Sequence, residues 1–366
     1  MEKYLELIFY LIIQIPVYVL LALMPYLTRK TESFGFSIPR EVYNRPELNG
    51  MRKRYVLFVT VWTVLAVFGY IGCLSVIKVE PGILMAMWTG GYLCGSFVVY
   101  LLFHFQMKRL KTANEWHKLK RQTVVIDTQF RNRNIVHSNG WFIPPFLIAI
   151  TTTILLIVNY PSLPDQLPQQ YDFQGNITNT VAKSYGSVLG LSITQISITV
   201  LLLLMNVMIG RTKQQIDADR PKQSLEQNII FRRSWSAFTI GSCYSLVLLF
   251  TLMNVAMFIH IPPFVLMIAT LIQVVIMVAW AALLSFKVGQ GGDRLQATSS
   301  EKSGAVNRDD DQYWKLGQVY CNPHDPAIFV EKRFGIGWTI NVARPGSWLM
   351  LIGLLVIILI PIWLSR

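Results

Sequence analysis

Four side chains towards the C-terminal end of this sequence are of types that perform acid–base or nucleophilic chemistry. Cys321, His324, Asp325 and Glu331 lie close together in the chain. The residues around Cys321 match no known nucleophile context, and the scattered cysteines have no metal-ligand spacing. Asx-Pro turns account for the two Asx-Pro pairs beside His324 without any chemistry. We therefore predict a protein that is not an enzyme and that holds no cofactor or metal ion.

A second candidate for chemistry is a polar, proline-rich segment, residues 160–185, between two long apolar runs. Its prolines restrict the backbone, and its carboxylates supply acceptors for a cationic ligand. The same segment could instead cap a bundle of helices, and the sequence leaves both interpretations open. The candidate ligand-binding residues are Pro164, Asp165, Pro168, Tyr171, Asp172 and Gly175.

Long apolar runs must position these polar segments. The chain is 53% hydrophobic and only 14% charged, a balance that differs from that of soluble domains. A helix needs about 20 apolar residues to cross a bilayer, where the backbone must satisfy its own hydrogen bonds. Eight runs predict transmembrane helices, near residues 4–27, 55–77, 82–106, 141–160, 186–210, 234–258, 262–286 and 347–364.

The basic residues are concentrated in alternate gaps between these runs. Of the 33 Lys and Arg residues, 29 lie in the gaps 28–54, 107–140, 211–233 and 287–346. Because cytoplasmic loops carry such an excess, we expect these four gaps in the cytosol and both termini outside. The net charge of +13 then reflects membrane topology, and we predict no direct nucleic-acid partner.

The predicted fold is an all-α polytopic membrane protein with about eight transmembrane helices, N-out and C-out. A small cytosolic module that contains a β-hairpin precedes the last helix. The predicted regions are a three-helix membrane region at 1–140, a four-helix region with the outer loop 160–185 at 141–287, a cytosolic linker and β module at 288–346, and the last transmembrane helix at 347–366.

The predicted cytosolic module combines flexible and strand-forming stretches. It opens with a Gly-rich stretch, residues 289–294, which we expect to be a flexible connector. We expect the acidic run Asp309–Asp311 to be a solvated turn. Residues 328–342 alternate with period two, are rich in β-branched and aromatic types, and predict a hairpin with turn glycines. Nearby aromatic residues would pack this hairpin onto a third strand or onto the membrane face.

We expect this module to be structural or to dock a partner. The candidate partner-docking residues are Tyr313, Trp314, Asn322, Asp325, Glu331, Lys332, Arg333, Trp338 and Asn341. Three basic side chains are also candidates for contact with anionic lipid headgroups, namely Lys332, Arg333 and Arg344.

Two segments carry a resemblance to a known group of proteins. The outer segment YPSLPDQLPQQYDFQG (160–175) resembles a loop found in bacterial membrane proteins related to the SdpI-type immunity proteins, although Gln170 stands where those proteins often have histidine. The blocks YWKLG (313–317), NPHDP (322–326) and EKRFGIGWTIN (331–341) resemble a C-terminal module of the same family. The loop 211–235 is also similar. The resemblance implies a receptor or immunity role, with packing and turn roles for the shared residues.

Polar residues inside the predicted helices allow a different function. Gln14, Asn206, Asn254 and Gln273 either form interhelical hydrogen bonds or line a polar path. No predicted helix has a central charge, which argues against an ion-coupled transporter. We expect a non-enzymatic sensor or immunity-type protein of the bacterial cytoplasmic membrane, with lipids, an extracellular peptide and a cytosolic regulator as partners. The alternatives are a channel or transporter subunit and, less favoured, a membrane enzyme.

Overall fold

The computed structural model of the protein describes residues 2–76, 79, 81–116, 122–123, 134–171, 176–259, 261–295, 306–307 and 309–364. The chain divides into two compact units. Unit 1 consists of Met1–Thr128, Lys213–Phe231 and Ser285–Ala343. Unit 2 consists of Gln129–Thr212, Arg232–Leu284 and Arg344–Arg366.

The described chain is mostly helical. Its α-helices are α1 (Glu2–Leu27), α2 (Pro46–Val76), α3 (Pro81–Ala113), α4 (Ile143–Val158), α5 (Tyr185–Arg211), α6 (Pro221–Val255), α7 (Pro263–Val288) and α8 (Pro345–Leu364). Its short strands are β1 (Glu32–Ser33), β2 (Phe36–Ser37), β3 (Gln122–Thr123), β4 (Gln166–Tyr171), β5 (Ile177–Ala182), β6 (Val306–Asn307), β7 (Trp314–Lys315), β8 (Val319–Tyr320), β9 (Phe329–Glu331) and β10 (Trp338–Ile340).

The helices have the lengths and compositions of a multi-pass membrane protein. Within the described residues, α1 to α7 are long and apolar enough to cross a membrane. Helix α8 also has an apolar stretch, Pro345–Leu359, but this stretch is shorter than the seven others. The membrane class is therefore confirmed, while the eighth crossing and the orientation stay predictions.

Three helices extend beyond the boundaries that hydropathy predicts. Helix α2 begins at Pro46 rather than near residue 55, α3 continues to Ala113, and α6 begins at Pro221 rather than near residue 234. Hydropathy detects only the apolar length of a helix, whereas a helix continues into polar solvent as long as its backbone bonds and side-chain packing favour it. Parts of the predicted loops are therefore polar helical turns.

The core of unit 1 is built around Phe34, in the turn between β1 and β2. Its ring lies 5.5 Å from that of Tyr55 on α2, 5.6 Å from that of Phe103 on α3 and 5.4 Å from that of Phe334 in the C-terminal module. Aromatic contacts at these separations are favourable and bury large apolar areas. The segment after α1 and the C-terminal module thus share one hydrophobic core with α2 and α3.

In unit 2, helix α5 packs against α4 and α8, and an antiparallel hairpin of β4 and β5 precedes α5. Leu163 and Leu167 are buried with Leu156 and Val188 beneath the hairpin. The segment 160–185 was predicted as a stiff outer loop, and its strands were not predicted, because prolines interrupt the strand pattern. Pro168 pairs with Thr180 beside a register shift, where the ladder needs no donor from proline.

The C-terminal module contains the predicted hairpin. Strands β9 and β10 pair antiparallel, with Val330 opposite Thr339, which confirms the prediction for 328–342. Strands β7 and β8 form a second hairpin, and a bridge between Tyr320 and Asn341 joins the two. The expected third strand is therefore β8.

Two predictions for this module were wrong. The Gly-rich stretch is folded rather than a flexible connector, since Gln290, Gly291 and Gly292 are buried. Positive φ angles of 61° and 83° at the two glycines suit residues without a Cβ. The run Asp309–Asp311 is half-buried and ion-paired rather than a solvated turn. Of the predicted linker, residues 296–305 and 308 lie outside the described residues.

Candidate functional site

A buried carboxylate, that of Glu331, lies at the centre of a charge network in unit 1. Its side chain is 0% exposed. Arg29, directly after α1, pairs with Oε2 of Glu331, and the amide of Asn228 on α6 donates to Oε1 at 2.7 Å. Arg29 also donates to Oε1 of Gln215 at 2.6 Å. A buried charge needs such partners, because a carboxylate that loses its water and gains no partner strongly destabilises the fold.

Arg29 is charged in spite of its burial. Burial disfavours its guanidinium, but the nearby carboxylates, of which that of Glu331 acts most strongly, raise its pKa above the ordinary value. The pair joins residues that are 302 positions apart in the chain. Together with Asn228, it ties the C-terminal module to the end of α1 and to the start of α6.

A second buried carboxyl, that of Glu32, lies near the same cations but has a different character. Burial raises its pKa to about 8, although Arg29 and Arg333 act in the opposite direction. Its Oε2 is buried and has no hydrogen-bond partner among the described residues. Glu32 is therefore largely protonated at neutral pH, whereas Glu331 is held as part of an ion pair.

The third part of the network surrounds Arg333, which is 3% exposed. Its guanidinium pairs with Asp310 and Asp311 and lies 5.1 Å from the ring of Trp314. Lys111 on α3 binds Asp311 at 2.5 Å and Asp309 at 2.7 Å. Charges of alternating sign therefore connect Lys111 on α3, through the acidic run, to Arg333 in the turn after strand β9.

Lys111 favours the charged form of one carboxyl group in the acidic run, that of Asp309. Burial alone would raise the pKa of Asp309, but the hydrogen bond and charge of Lys111 lower it below the usual value. One oxygen of Asp311 also accepts a hydrogen bond from the backbone of Ser37 at 3.1 Å. The run thus fixes the β1–β2 turn as well as Arg333.

Arg40 forms the fourth part of the network. It binds Asp217, between α5 and α6, at 3.1 Å and Asp293, after α7, at 2.7 Å. Asp293 also accepts the backbone N–H of Lys30 at 2.7 Å. Near it, Gln290 exchanges hydrogen bonds with the backbone of Gly337, at 2.8 and 3.0 Å. These contacts hold the Gly-rich stretch in a fixed place.

Asparagine and aspartate side chains hold the C-terminal module together. Asn341 accepts the backbone N–H of Asn322 at 2.9 Å and donates to its carbonyl at 2.8 Å. Asp325 accepts from the hydroxyl of Tyr320 at 2.8 Å and from Lys213 at 2.5 Å. Burial would raise the pKa of Asp325, but Lys213 and the other donors lower it. Three polar side chains from the resemblance motifs, those of Asn322, Asp325 and Asn341, therefore form hydrogen bonds within the module.

The predicted partner-docking residues divide by exposure. Six are buried in unit 1, namely Trp314, Asn322, Asp325, Glu331, Arg333 and Asn341. The other three, Tyr313, Lys332 and Trp338, are half-buried. Burial lowers the pKa of Lys332. Of these nine residues, Tyr313, Lys332 and Trp338 are therefore the ones whose side chains reach the surface of the module.

Four of the predicted ligand-binding residues, Pro164, Asp165, Pro168 and Tyr171, lie in strand β4 of unit 2 or directly before it. Pro164, Pro168 and Tyr171 are exposed, and the side chain of Asp165 is 97% exposed. Two further predicted residues, Asp172 and Gly175, lie outside the described residues. The hairpin therefore has a buried leucine face, as a cap requires, and an exposed polar face, as ligand binding requires.

The polar residues within the helices also differ from one another. In unit 2, Asn206 donates to the carbonyl of His137 and to Asn139, and it accepts from Ser236 at 2.6 Å. In unit 1, both amide atoms of Gln14 are buried without a hydrogen-bond partner among the described residues. The two amide atoms of Asn254 in unit 2 are likewise buried without a hydrogen-bond partner among the described residues. Asn206 on α5 thus forms an interhelical hydrogen bond with Ser236 on α6, as the sequence allowed.

Most of the charge network was not identified from the sequence. Arg29 and Arg40 were counted only as topology markers, and Glu32 and Asp293 were not singled out. A signal was present, since acidic residues accompany the basic residues in the same gaps, but the sequence gives no pairing between distant gaps. Among the described residues, no cluster of His, Cys, Asp or Glu has the arrangement of a metal site.

Two segments of the chain match families of unknown function. Residues 323–348 match a family of unknown function, DUF5808, and residues 147–196 match a domain of unknown function, DUF1648. The first segment contains Glu331 and Arg333, and the second runs from α4 through the hairpin into α5. No curated protein and no solved structure matches the chain. These matches fit a membrane protein of uncharacterised type.

Proposed function

We propose that the protein is a non-enzymatic sensor or immunity-type protein of a bacterial cytoplasmic membrane. In this proposal the hairpin of β4 and β5 lies outside the cell, and the charge network of unit 1 lies on the cytosolic side. The excess of Lys and Arg in the gaps that build the network supports this orientation. Of the two matched domains of unknown function, one covers the hairpin, which would receive the signal, and the other covers part of the C-terminal module, which would pass on the response.

One observation carries the proposal: residues of the connection between α5 and α6 bind to the charge network. Along the chain, strand β5 leads into α5, and α5 leads directly to Lys213, Gln215 and Asp217. Within unit 1, these three residues bind Asp325, Arg29 and Arg40 respectively. In this proposal a signal passes along the chain from the hairpin through α5 to Lys213, whose ion pair with Asp325 belongs to the C-terminal module.

The outer ligand that fits the hairpin is a cationic peptide. Asp165 presents an almost fully exposed carboxylate, and its ion pair with Lys183 is long, at 3.5 Å. A surface pair of this kind is weak and is readily exchanged for a ligand cation. The exposed prolines and Tyr171 add a stiff, partly apolar surface beside the carboxylate. The regulator on the other side would meet the half-buried residues Tyr313, Lys332 and Trp338.

The test is protection or signalling in cells that lack the native gene. Complementing genes carry the wild-type chain, Asp165→Ala, Asp172→Ala or the control Gln166→Ala, a change on the same hairpin that keeps its charge. Cells are challenged with cationic antimicrobial peptides, and survival and an envelope-stress reporter are measured. We expect both aspartate variants to insert at wild-type abundance and to lose the response. Full protection by both would reduce the hairpin to a cap and would reject the proposal.

A transporter or channel subunit is a second candidate, favoured by one observation. The hydroxyl of Tyr10 and both amide atoms of Gln14 are buried among the helices of unit 1 without hydrogen-bond partners in the described residues. Such atoms in a membrane interior favour water or a polar solute nearby. Purified protein in sealed liposomes distinguishes the candidates. A solute flux that Gln14→Leu abolishes would favour transport, and tight vesicles favour the sensor.

A further inference from the structure

A groove lies between the polar ends of α2 and α3 in unit 1. It has a volume of about 480 Å³. Met51 on α2 and Leu110 on α3 give it an apolar floor. Three charged side chains line its rim, namely Glu47 and Arg54 from α2 and Arg109 from α3. The groove therefore combines an apolar base with a net positive rim.

The groove lies where the apolar surface of these helices ends. One turn further along α2, Leu57 and Phe58 are 59% and 48% exposed. One to two turns back along α3, Phe105 and Leu102 are 48% and 55% exposed. Side chains of this kind on a membrane helix face lipid. The charged rim of the groove is thus at the level of lipid headgroups.

The two arginines of the groove differ from the arginines of the charge network. Arg29, Arg40 and Arg333 all have carboxylate partners. Arg54 and Arg109 form no ion pair and donate no side-chain hydrogen bond to any described residue. Guanidinium groups bind phosphate with parallel hydrogen bonds and keep their charge at any physiological pH. Two such groups on one groove are complementary to a phosphate.

We propose that this groove is a specific binding site for one anionic glycerophospholipid. Its phosphate would lie between Arg54 and Arg109, and an acyl chain would follow the exposed surface at Phe58 and Phe105. Among the described residues that line the groove, Glu47 is the one carboxylate, so it opposes a net negative headgroup without cancelling both arginines. The assignment is independent of the sensor function, since it rests on α2 and α3 alone.

The chain offers a matched control for this site. Lys53 and Lys108 directly precede the two arginines and are exposed, but they do not line the groove. The double variant Arg54→Gln/Arg109→Gln and the control Lys53→Gln/Lys108→Gln therefore remove the same charge from the same helix ends. Weaker lipid binding in the arginine variant alone would show that the groove binds the lipid. Equally weakened binding in both variants would show a general attraction to an anionic surface.

The experiment is a lipid titration of the full-length protein in detergent, with bound lipids counted by native mass spectrometry. The probes are phosphatidylglycerol, phosphatidylethanolamine, phosphatidylcholine and inorganic phosphate. We expect one tightly held phosphatidylglycerol, at least tenfold weaker binding in the arginine variant and less than a twofold change in the lysine control. Glu47→Gln should tighten the binding. Equal losses in the two double variants, equal binding of phosphatidylcholine or phosphatidylethanolamine, or displacement by inorganic phosphate would overturn the proposal.

If the arginine variant does not fold, the single variant Glu47→Gln still tests whether the groove binds the lipid. Glu47→Gln removes a single charge at the groove rim and leaves both arginines. It should strengthen phosphatidylglycerol binding and leave phosphatidylcholine binding unchanged. Unchanged or weaker phosphatidylglycerol binding in this variant would contradict the site.

Discussion

The hairpin of unit 2 and the charge network of unit 1 use carboxylates in opposite ways. Asp165 on the hairpin is 97% exposed and has a loose ion pair, whereas Glu331 in the network is 0% exposed and binds Arg29 and Asn228. An exposed carboxylate costs little to leave unpaired and is available to a ligand. A buried one must keep its partners for the fold to survive. One region is therefore suited to recognition and the other to holding distant segments in register.

The largest expected effect is the loss of the carboxylate at Glu331. Glu331→Gln keeps the shape of the side chain but leaves Arg29 buried without its strongest counter-charge. We expect a loss of about 3–5 kcal/mol in the free energy of unfolding, measured by denaturation in mixed micelles. The double variant Glu331→Gln/Arg29→Met should recover part of the loss, because it removes the unpaired cation. A loss below 1 kcal/mol in the single variant would show that the pair does not hold unit 1 together.

The next effect concerns the close approach of Gly35 and Gly317 in unit 1. Gly317 has a φ of 67°, and an added Cβ would lie 2.5 Å from the hydroxyl of Tyr100 and 2.7 Å from the Cα of Gly35. Gly317→Ala should therefore lower the free energy of unfolding by about 2 kcal/mol, since alanine is strained in this backbone region. Gly50→Ala, in open space on α2, should be neutral or stabilising by up to about 1 kcal/mol. Equal effects at the two glycines would contradict the packing.

The third effect is a pH dependence that only the buried region should have. Because burial raises the pKa of Glu32 from 4.5 to about 8, the folded state binds its proton more tightly than the unfolded state. This group's contribution to stability is complete below about pH 4.5 and is lost progressively as the pH rises to about 8. Glu32→Gln, which resembles the protonated form, should remove that decline, up to about 1.4 kcal/mol per pH unit. Asp165→Asn should leave the pH profile as it is.

The smallest stability effect should be at the hairpin itself. Asp165→Asn removes an exposed charge with a weak partner, so the free energy of unfolding should change by less than about 0.5 kcal/mol. If the variant also loses the cellular response, the recognition role of the hairpin is separated from folding. A loss of several kcal/mol would instead make Asp165 a structural residue like Glu331.

The sequence predicted those parts of the fold that depend on local pattern. The apolar runs located seven helices, and the alternation of 328–342 located the hairpin of β9 and β10. The sequence did not predict contacts between distant positions, such as that between Arg29 and Glu331, which are 302 residues apart. Local patterns carry no information about such pairs. The strands β4 and β5 were missed for another reason, since proline in β4 argues against a strand unless the ladder is irregular there.

The candidate site was predicted only in part. The sequence motifs drew attention to Asp325, Glu331 and Asn341, but their types alone did not distinguish a surface from an interior. Polar residues are usually exposed, and these are buried because they bond to one another and to the segments after α1 and α5. The groove with Arg54 and Arg109 had no local signal, because its two sides come from different helices.

The most direct test of the contrast between the two regions is hydrogen–deuterium exchange of the full chain in lipid nanodiscs. We expect slow exchange in 213–217 and 329–341 and faster exchange in 177–182. Glu331→Gln should accelerate exchange in the first two segments and leave the hairpin unchanged. Acceleration confined to the hairpin, or no change in 213–217 and 329–341, would contradict the claim that the Glu331 network holds the C-terminal module to the rest of unit 1.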